Sequence, residues 1–165
     1  MDSKTLLTAA LEQSQFLVWP LLEDLRSAPL VPSTPGGNHA HWIAGHLLHA
    51  EGHMLNVIMR GLPNPMERLA ASFAGSTRPH VQGEGYPAYD ELLADLRRMR
   101  ADTLNLLASL DEPALDQPSK AVPPGFEPFF GVWRQCFLMQ ALHWMNHRGQ
   151  LADCRRSAGR APLMA

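Results

Sequence analysis

Four stretches of the 165-residue chain carry apolar residues at the three- and four-residue spacing of an amphipathic helix. No stretch of useful length alternates apolar and polar residues as a half-buried strand does. The four stretches run over about 3–26, 38–60, 87–110 and 130–156, and segments rich in proline and glycine separate them. The sequence therefore predicts an all-α fold with four long helices.

The connection between the second and third stretches is much longer than the two to eight residues usual between antiparallel neighbours in a bundle. It covers about 61–87 and is long enough to cross over the molecule. We therefore expect a four-helix bundle in which the second and third helices run parallel. With 45% hydrophobic residues, the chain can bury one sizeable core, so residues 1–165 are expected to form a single domain. Ser3 and Asn38 are the expected N-caps of the first two helices.

Charge and hydropathy exclude two classes of partner. The formal net charge is -2, which does not favour binding to a phosphate backbone, so we expect no nucleic-acid partner. No apolar run reaches the roughly 18 to 20 residues that cross a bilayer, and the start lacks a signal-peptide pattern. We therefore expect no membrane contact and a cytoplasmic location.

Cys136 and Cys154 lie about 27 Å apart along one predicted helix, too far to pair, and are expected to be buried thiols.

Histidine is the unusual residue of this chain, because five of its eight histidines fall within 39–53. On a helical wheel of the second helix, His46 lies inside the apolar stripe, and His39 and His53 lie one heptad to either side. His49 lies at the edge of the stripe, whereas His41 points away from it. The second helix is therefore expected to present a row of imidazoles to the core.

The fourth helix carries His143 and His147 one turn apart on its apolar face, with Gln140 and Gln150 on the same face. Neighbours at this spacing lie roughly 5 to 6 Å apart at Cβ, so both imidazoles can reach one ion. The pair lacks the glutamate of a His-Glu-x-x-His motif, so a zinc peptidase of that kind is not supported. A single buried histidine is most often satisfied by a hydrogen bond. Three that face one interior favour a divalent cation, with the third ligand from the second helix.

The chain resembles the DinB/YfiT-like superfamily of small metal-binding helical bundles. The resemblance rests on residues 37–47, GNHAHWIAGHL, and on residues 143–151, HWMNHRGQL. It implies an up-down-down-up bundle, commonly a homodimer, with one zinc or nickel ion held by His46, His143 and His147. The competing interpretation makes His49 or His53 the ligand from the second helix. Three imidazoles leave coordination positions open for water or substrate.

The resemblance also implies a function, since characterised relatives include transferases that use low-molecular-weight thiols such as mycothiol or bacillithiol. The expected activity is a metal-dependent S-transfer from such a thiol to a small electrophile. The alternatives are a metal-dependent hydrolase, a non-catalytic metal-binding stress-response protein, and a hydrogen-bonded histidine core without an ion. No residue is an evident general base, and His49 or His53 is the best candidate. Trp42 and Trp144 are expected to pack in the core rather than bind substrate. The substrate itself is not identified by the sequence.

Overall fold

The computed structural model describes residues 2–163 and contains no strand in that range, so the all-α prediction is confirmed. Six α-helices lie within it: α1 Ser3–Asp24, α2 Ala40–Gly52, α3 Ala70–Phe73, α4 Tyr89–Ser109, α5 Glu127–Phe130 and α6 Trp133–Ser157. Across the described residues, no helix combines the length and hydropathy that crossing a membrane requires.

The four long helices pack on one another in pairs. Helix α1 lies along α6 and α2 lies along α4, with further contacts between α1 and α4 and between α2 and α6. Their apolar faces enclose a common core whose largest fully buried members include Leu11, Leu22, Ile43, Leu47, Phe73, Leu92, Phe137 and Trp144. Both cysteines are buried and unpaired, as the sequence predicts. The order and direction of the helices in the bundle stay a prediction at this point.

The second helix ends in a widened turn. Helix α2 passes directly into a π-helical segment, His53–Ile58, and the helical conformation continues to Arg60. The predicted range of 38–60 therefore covers one nearly continuous helix. A π-helical turn inside an α-helix is uncommon and frequently accompanies a functional site.

The predicted N-caps are wrong by one residue at both helices. Asp2 caps α1, because its carboxylate accepts from the Thr5 backbone N–H at 2.8 Å, which makes Ser3 the first helical residue. His39 caps α2, because its Nδ1 accepts from the Trp42 backbone N–H at 3.1 Å. Asn38 instead donates to a side chain on α6, which ties the start of α2 to the opposite helix.

The predicted start of the fourth helix, at about residue 130, is also early. Residues Glu127–Phe130 form the separate single turn α5, and α6 begins at Trp133 after the extended residue Val132. The third helix matches its predicted range of 87–110 closely, since α4 covers Tyr89–Ser109. The long connection before it contains the short helix α3, which the sequence pattern did not reveal.

Candidate metal centre

Three imidazoles from two helices meet in the interior. The Nε2 atom of His143 lies 3.1 Å from Nε2 of His46 and 3.2 Å from Nε2 of His147. His46 and His147 are buried and His143 is partly buried. They form the one group of three or more candidate metal ligands found among residues 2–163. The structure thus brings together the three residues that the sequence singles out; that they bind an ion stays a prediction.

The ring of His46 is fixed by the long connection. Its Nδ1 donates to the backbone carbonyl oxygen of Phe73, in α3, at 2.8 Å. The ring also stacks on Trp42, with ring centroids 4.6 Å apart and planes within 8°. Gly45 allows Phe73 to lie this close to α2, because a Cβ at position 45 would lie 2.4 Å from the Phe73 ring. Since the carbonyl only accepts, His46 carries its hydrogen on Nδ1 and presents a lone pair at Nε2.

The ring of His147 is fixed in the same way by a side chain one turn further along α6. Its Nδ1 lies 3.3 Å from Oε1 of Gln150, and the same oxygen accepts from Nδ2 of Asn38 at 2.9 Å. The amide oxygen cannot donate, so His147 also carries its hydrogen on Nδ1. His46 and His147 therefore both direct an unprotonated Nε2 at His143.

His143 cannot satisfy both neighbours. A neutral imidazole carries one hydrogen, so its Nε2 can donate to one of the two facing nitrogen atoms and not to the other. Its Nδ1 is buried and has no hydrogen-bond partner among the described residues. Converging nitrogen lone pairs of this kind are what a divalent cation binds, and a hydrogen bond that orients the opposite nitrogen is typical of histidine ligands. The residues present fit such an ion.

The surroundings keep all three imidazoles uncharged. Burial lowers the pKa of His46, and it lowers the pKa of His143 to about 3 and that of His147 to about 4. Repulsion between the rings adds to the effect at His143 and His147. The neutral form is the one that binds metal, so His143 and His147 remain available to an ion well below neutral pH.

A second buried polar cluster lies deeper, between α2, α4 and α6. Nη2 of Arg100 lies 3.0 Å from Oε2 of Glu51, and the two side chains are 0% and 1% exposed. Glu51 also accepts from Thr103 at 2.8 Å and from Trp144 Nε1 at 2.7 Å, while the Arg100 guanidinium lies over the Trp144 ring. Burial raises the pKa of Glu51 and lowers that of Arg100, and the opposite charge of each partner counters both shifts.

A cavity of about 390 Å³ opens beside the three imidazoles. His46 and His143 form part of its wall, together with His49 and His53. The π-helical turn contributes to this wall, because His53 and two apolar residues of the same segment lie on it. The full wall consists of His46, His49, Ala50, His53, Met54, Ile58, Ala74, Gly75, Pro123, Phe130, Met139 and His143.

The remaining histidines have separate places. His49 and His53 line the cavity with ring centroids 6.2 Å apart and do not belong to the group that includes His46. His39 caps α2, and its Nε2 hydrogen-bonds to the backbone carbonyl oxygen of His80. His41 faces α4, where its ring contacts Tyr89.

Two features of the site are absent from the sequence prediction. Phe73 contributes only a backbone oxygen, so no side-chain pattern identifies it. The pair of Glu51 and Arg100 does have a signal in the sequence, because Arg100 lies between Met99 and Thr103 on the buried stripe of α4. Trp42 and Trp144 are buried, and the structure places one against His46 and the other against Arg100 and Glu51.

Comparison with protein families gives a match over most of the chain. The family model described as the DinB superfamily matches residues 10–151, a range that contains all three converging histidines. Among curated proteins, none matches the chain.

Proposed function

This chain belongs to the DinB superfamily, and on that premise we propose that it is a divalent-metal-dependent protein with His46, His143 and His147 as ligands. The observation that carries the proposal is the set of three Nε2 atoms, two of them unprotonated and all three aimed at one another. Zinc and nickel both accept imidazole ligands, and three such ligands leave positions open to a small molecule.

The activity we propose is thiol-dependent S-transfer to a small electrophile. A divalent ion bound by the three imidazoles supplies the positive charge that favours ionisation of a thiol at neutral pH. An imidazole nitrogen of His49 or His53, both on the cavity wall, accepts the thiol proton. The sulfur then forms a bond to the electrophilic carbon, and the leaving group departs with the electron pair of the bond that breaks.

The cavity supports this proposal over a purely structural ion. It reaches His46 and His143, so a molecule inside it can approach the place where the ligand atoms meet. Apolar side chains form most of the remaining wall, and such a wall limits the access of bulk water to the reacting atoms.

The proposed architecture follows the family. We propose that residues 1–165 form one up-down-down-up four-helix bundle in which the connection with α3 crosses over. The pairwise packing of the four long helices supports this order. A homodimer remains a proposal from the resemblance alone.

The test is a rate measurement on protein purified without a metal-affinity tag. The protein is loaded with zinc or nickel and incubated with a panel of cellular thiols and a chromogenic electrophile. We expect a metal-dependent rate above the uncatalysed background, lost in His143→Ala. It should be retained in Met145→Ala, which alters an exposed neighbour on the same helix.

The absence of a metal-dependent rate with every thiol would contradict the transferase proposal. Ester and amide substrates then test for a hydrolase. A protein that binds the ion and turns over none of these substrates would be a non-catalytic metal-binding protein.

A further inference from the structure

We infer that the part of the cavity beyond the three imidazoles selects a ligand with an uncharged, largely apolar body, and discriminates against a carboxylate or ammonium group carried on that body. The inference rests on the proposed function in one respect, because the ion of the proposed metal centre would hold the head group of the ligand. The selection itself comes from the wall of the cavity.

Among the described residues, the wall contains no lysine, arginine, aspartate or glutamate side chain. Eight of the twelve lining residues named above are apolar or glycine, and the other four are histidines. Within residues 2–163, therefore, neither a guanidinium, an ammonium nor a carboxylate group lies on this surface to pair with a charged substrate.

The nearest buried charges are not available to a ligand. Glu51 and Arg100 pair with each other, are almost completely inaccessible, and do not line the cavity. Glu67 is exposed and lies outside the wall, although its charge acts on His49. A charged group held away from the metal centre thus loses hydration without gaining a side chain of opposite charge from this wall.

Desolvation sets the size of the effect. Moving an ionised group out of water without a partner strongly opposes binding, whereas each buried methylene group favours it. Part of any charged group can remain at the open mouth, which reduces the penalty. We therefore expect a discrimination of about tenfold or more between ligands of equal shape that differ only in charge.

The histidines of the wall suit an uncharged polar group. His49 is buried, and burial lowers its pKa, so its ring is neutral at physiological pH. A neutral imidazole offers one donor and one acceptor, and can therefore hydrogen-bond to a hydroxyl or carbonyl group without a formal charge on either side. The volume of about 390 Å³ is sufficient for one small molecule.

The test compares three thiols on one benzyl skeleton: 4-methylbenzyl mercaptan, 4-(mercaptomethyl)benzoate and 4-(aminomethyl)benzyl mercaptan. Their binding to the zinc-loaded protein is measured by calorimetry. The uncharged thiol should bind about tenfold more tightly than either charged one. Equal affinity for the three, or preference for a charged one, would overturn the inference.

The same series on metal-free protein separates this inference from the proposed function. Zinc content measured on each sample reports on the metal centre alone. Since the wall is the same in both samples, the preference for the uncharged thiol should persist without zinc, at lower overall affinity. A preference that disappears with the ion would contradict selection by the wall.

A pair of adjacent substitutions tests where the selection originates. Met139→Lys places an ammonium group on the wall, and it should reduce the preference for the uncharged thiol over the benzoate by about tenfold. Leu138→Lys is the matched control, because Leu138 is exposed and does not line the cavity. If Met139→Lys leaves the ratio of the two affinities unchanged while circular dichroism confirms its helical fold, the inference is wrong.

Discussion

Two buried polar clusters lie side by side in this protein, and they differ in which groups they bring together. The cluster of Glu51 and Arg100 joins groups of opposite charge, and both oxygens of the carboxylate have partners. The cluster of His46, His143 and His147 joins groups of the same kind, and their nitrogen atoms face one another.

The contrast indicates what each cluster requires. In the charge-paired cluster each charge has its counter-charge within the chain, and each depends on the other to offset its desolvation. A cluster of converging lone pairs is incomplete, and a cation is the group that completes it. The pair of Glu51 and Arg100 should therefore stabilise the fold in the absence of metal. The stability contributed by the three histidines should instead depend on metal and on pH.

The largest expected effect is on the charge-paired cluster. Glu51→Ala leaves the Arg100 guanidinium buried without an opposite charge, and should lower the free energy of unfolding by about 3–5 kcal/mol. Urea denaturation with and without zinc measures this. The double variant with leucine at positions 51 and 100 removes both charges and should recover most of the loss. If the double variant is as unstable as Glu51→Ala, the charge-pairing explanation is wrong.

The pH dependence of the metal-free protein should be the next largest effect. Burial lowers the pKa values of His143 and His147 in the folded chain to about 3 and about 4, below the ordinary histidine pKa of 6.5. Between these values the unfolded chain binds protons that the folded chain does not, so stability is complete above pH 6.5 and falls with acidification. Each imidazole should lower the free energy of unfolding by about 1 kcal/mol from pH 6.5 to 5.5, or about 2 kcal/mol for the two together.

Chemical denaturation at a series of pH values measures this slope. His143→Ala should have a shallower slope than the wild type, because one buried imidazole is absent. A slope that is unchanged in this variant would assign the acid sensitivity to other groups.

The smallest of the three effects concerns the orientation of one ligand. Gln150→Leu removes the oxygen that accepts from His147 Nδ1, and should weaken zinc binding by about tenfold without abolishing it. Competition with a chromogenic chelator measures the affinity. Asn146→Leu is the control, since Asn146 is exposed and next to His147 in the chain. Equal zinc affinities in the two variants would show that Gln150 does not orient His147 for metal binding.

Helical periodicity was sufficient to predict the four long helices and the inward-facing histidines, but not the short helices α3 and α5. His46, His143 and His147 repeat within amphipathic patterns, and such patterns determine which side chains face the core. The caps were wrong because Asp2 and His39 both carry side-chain acceptors next to an equally plausible Ser3 or Asn38. Only the local backbone conformation decides between such neighbours.

The contacts that complete the site depend on tertiary structure. The Phe73 oxygen that orients His46 belongs to a short helix within a proline-rich connection, and its role depends on how that connection crosses α2. The partnership of Glu51 with Arg100 likewise joins two helices whose relative rotation is not encoded in either one alone.

The most direct test of the account is the zinc stoichiometry and affinity of tag-free protein, measured by competition with a chelator. The wild type should bind one ion per chain, His143→Ala should lose that binding, and His80→Ala, which alters an exposed histidine, should retain it. A wild type that binds no ion, or a His143→Ala variant that binds it equally well, would contradict the proposed metal centre.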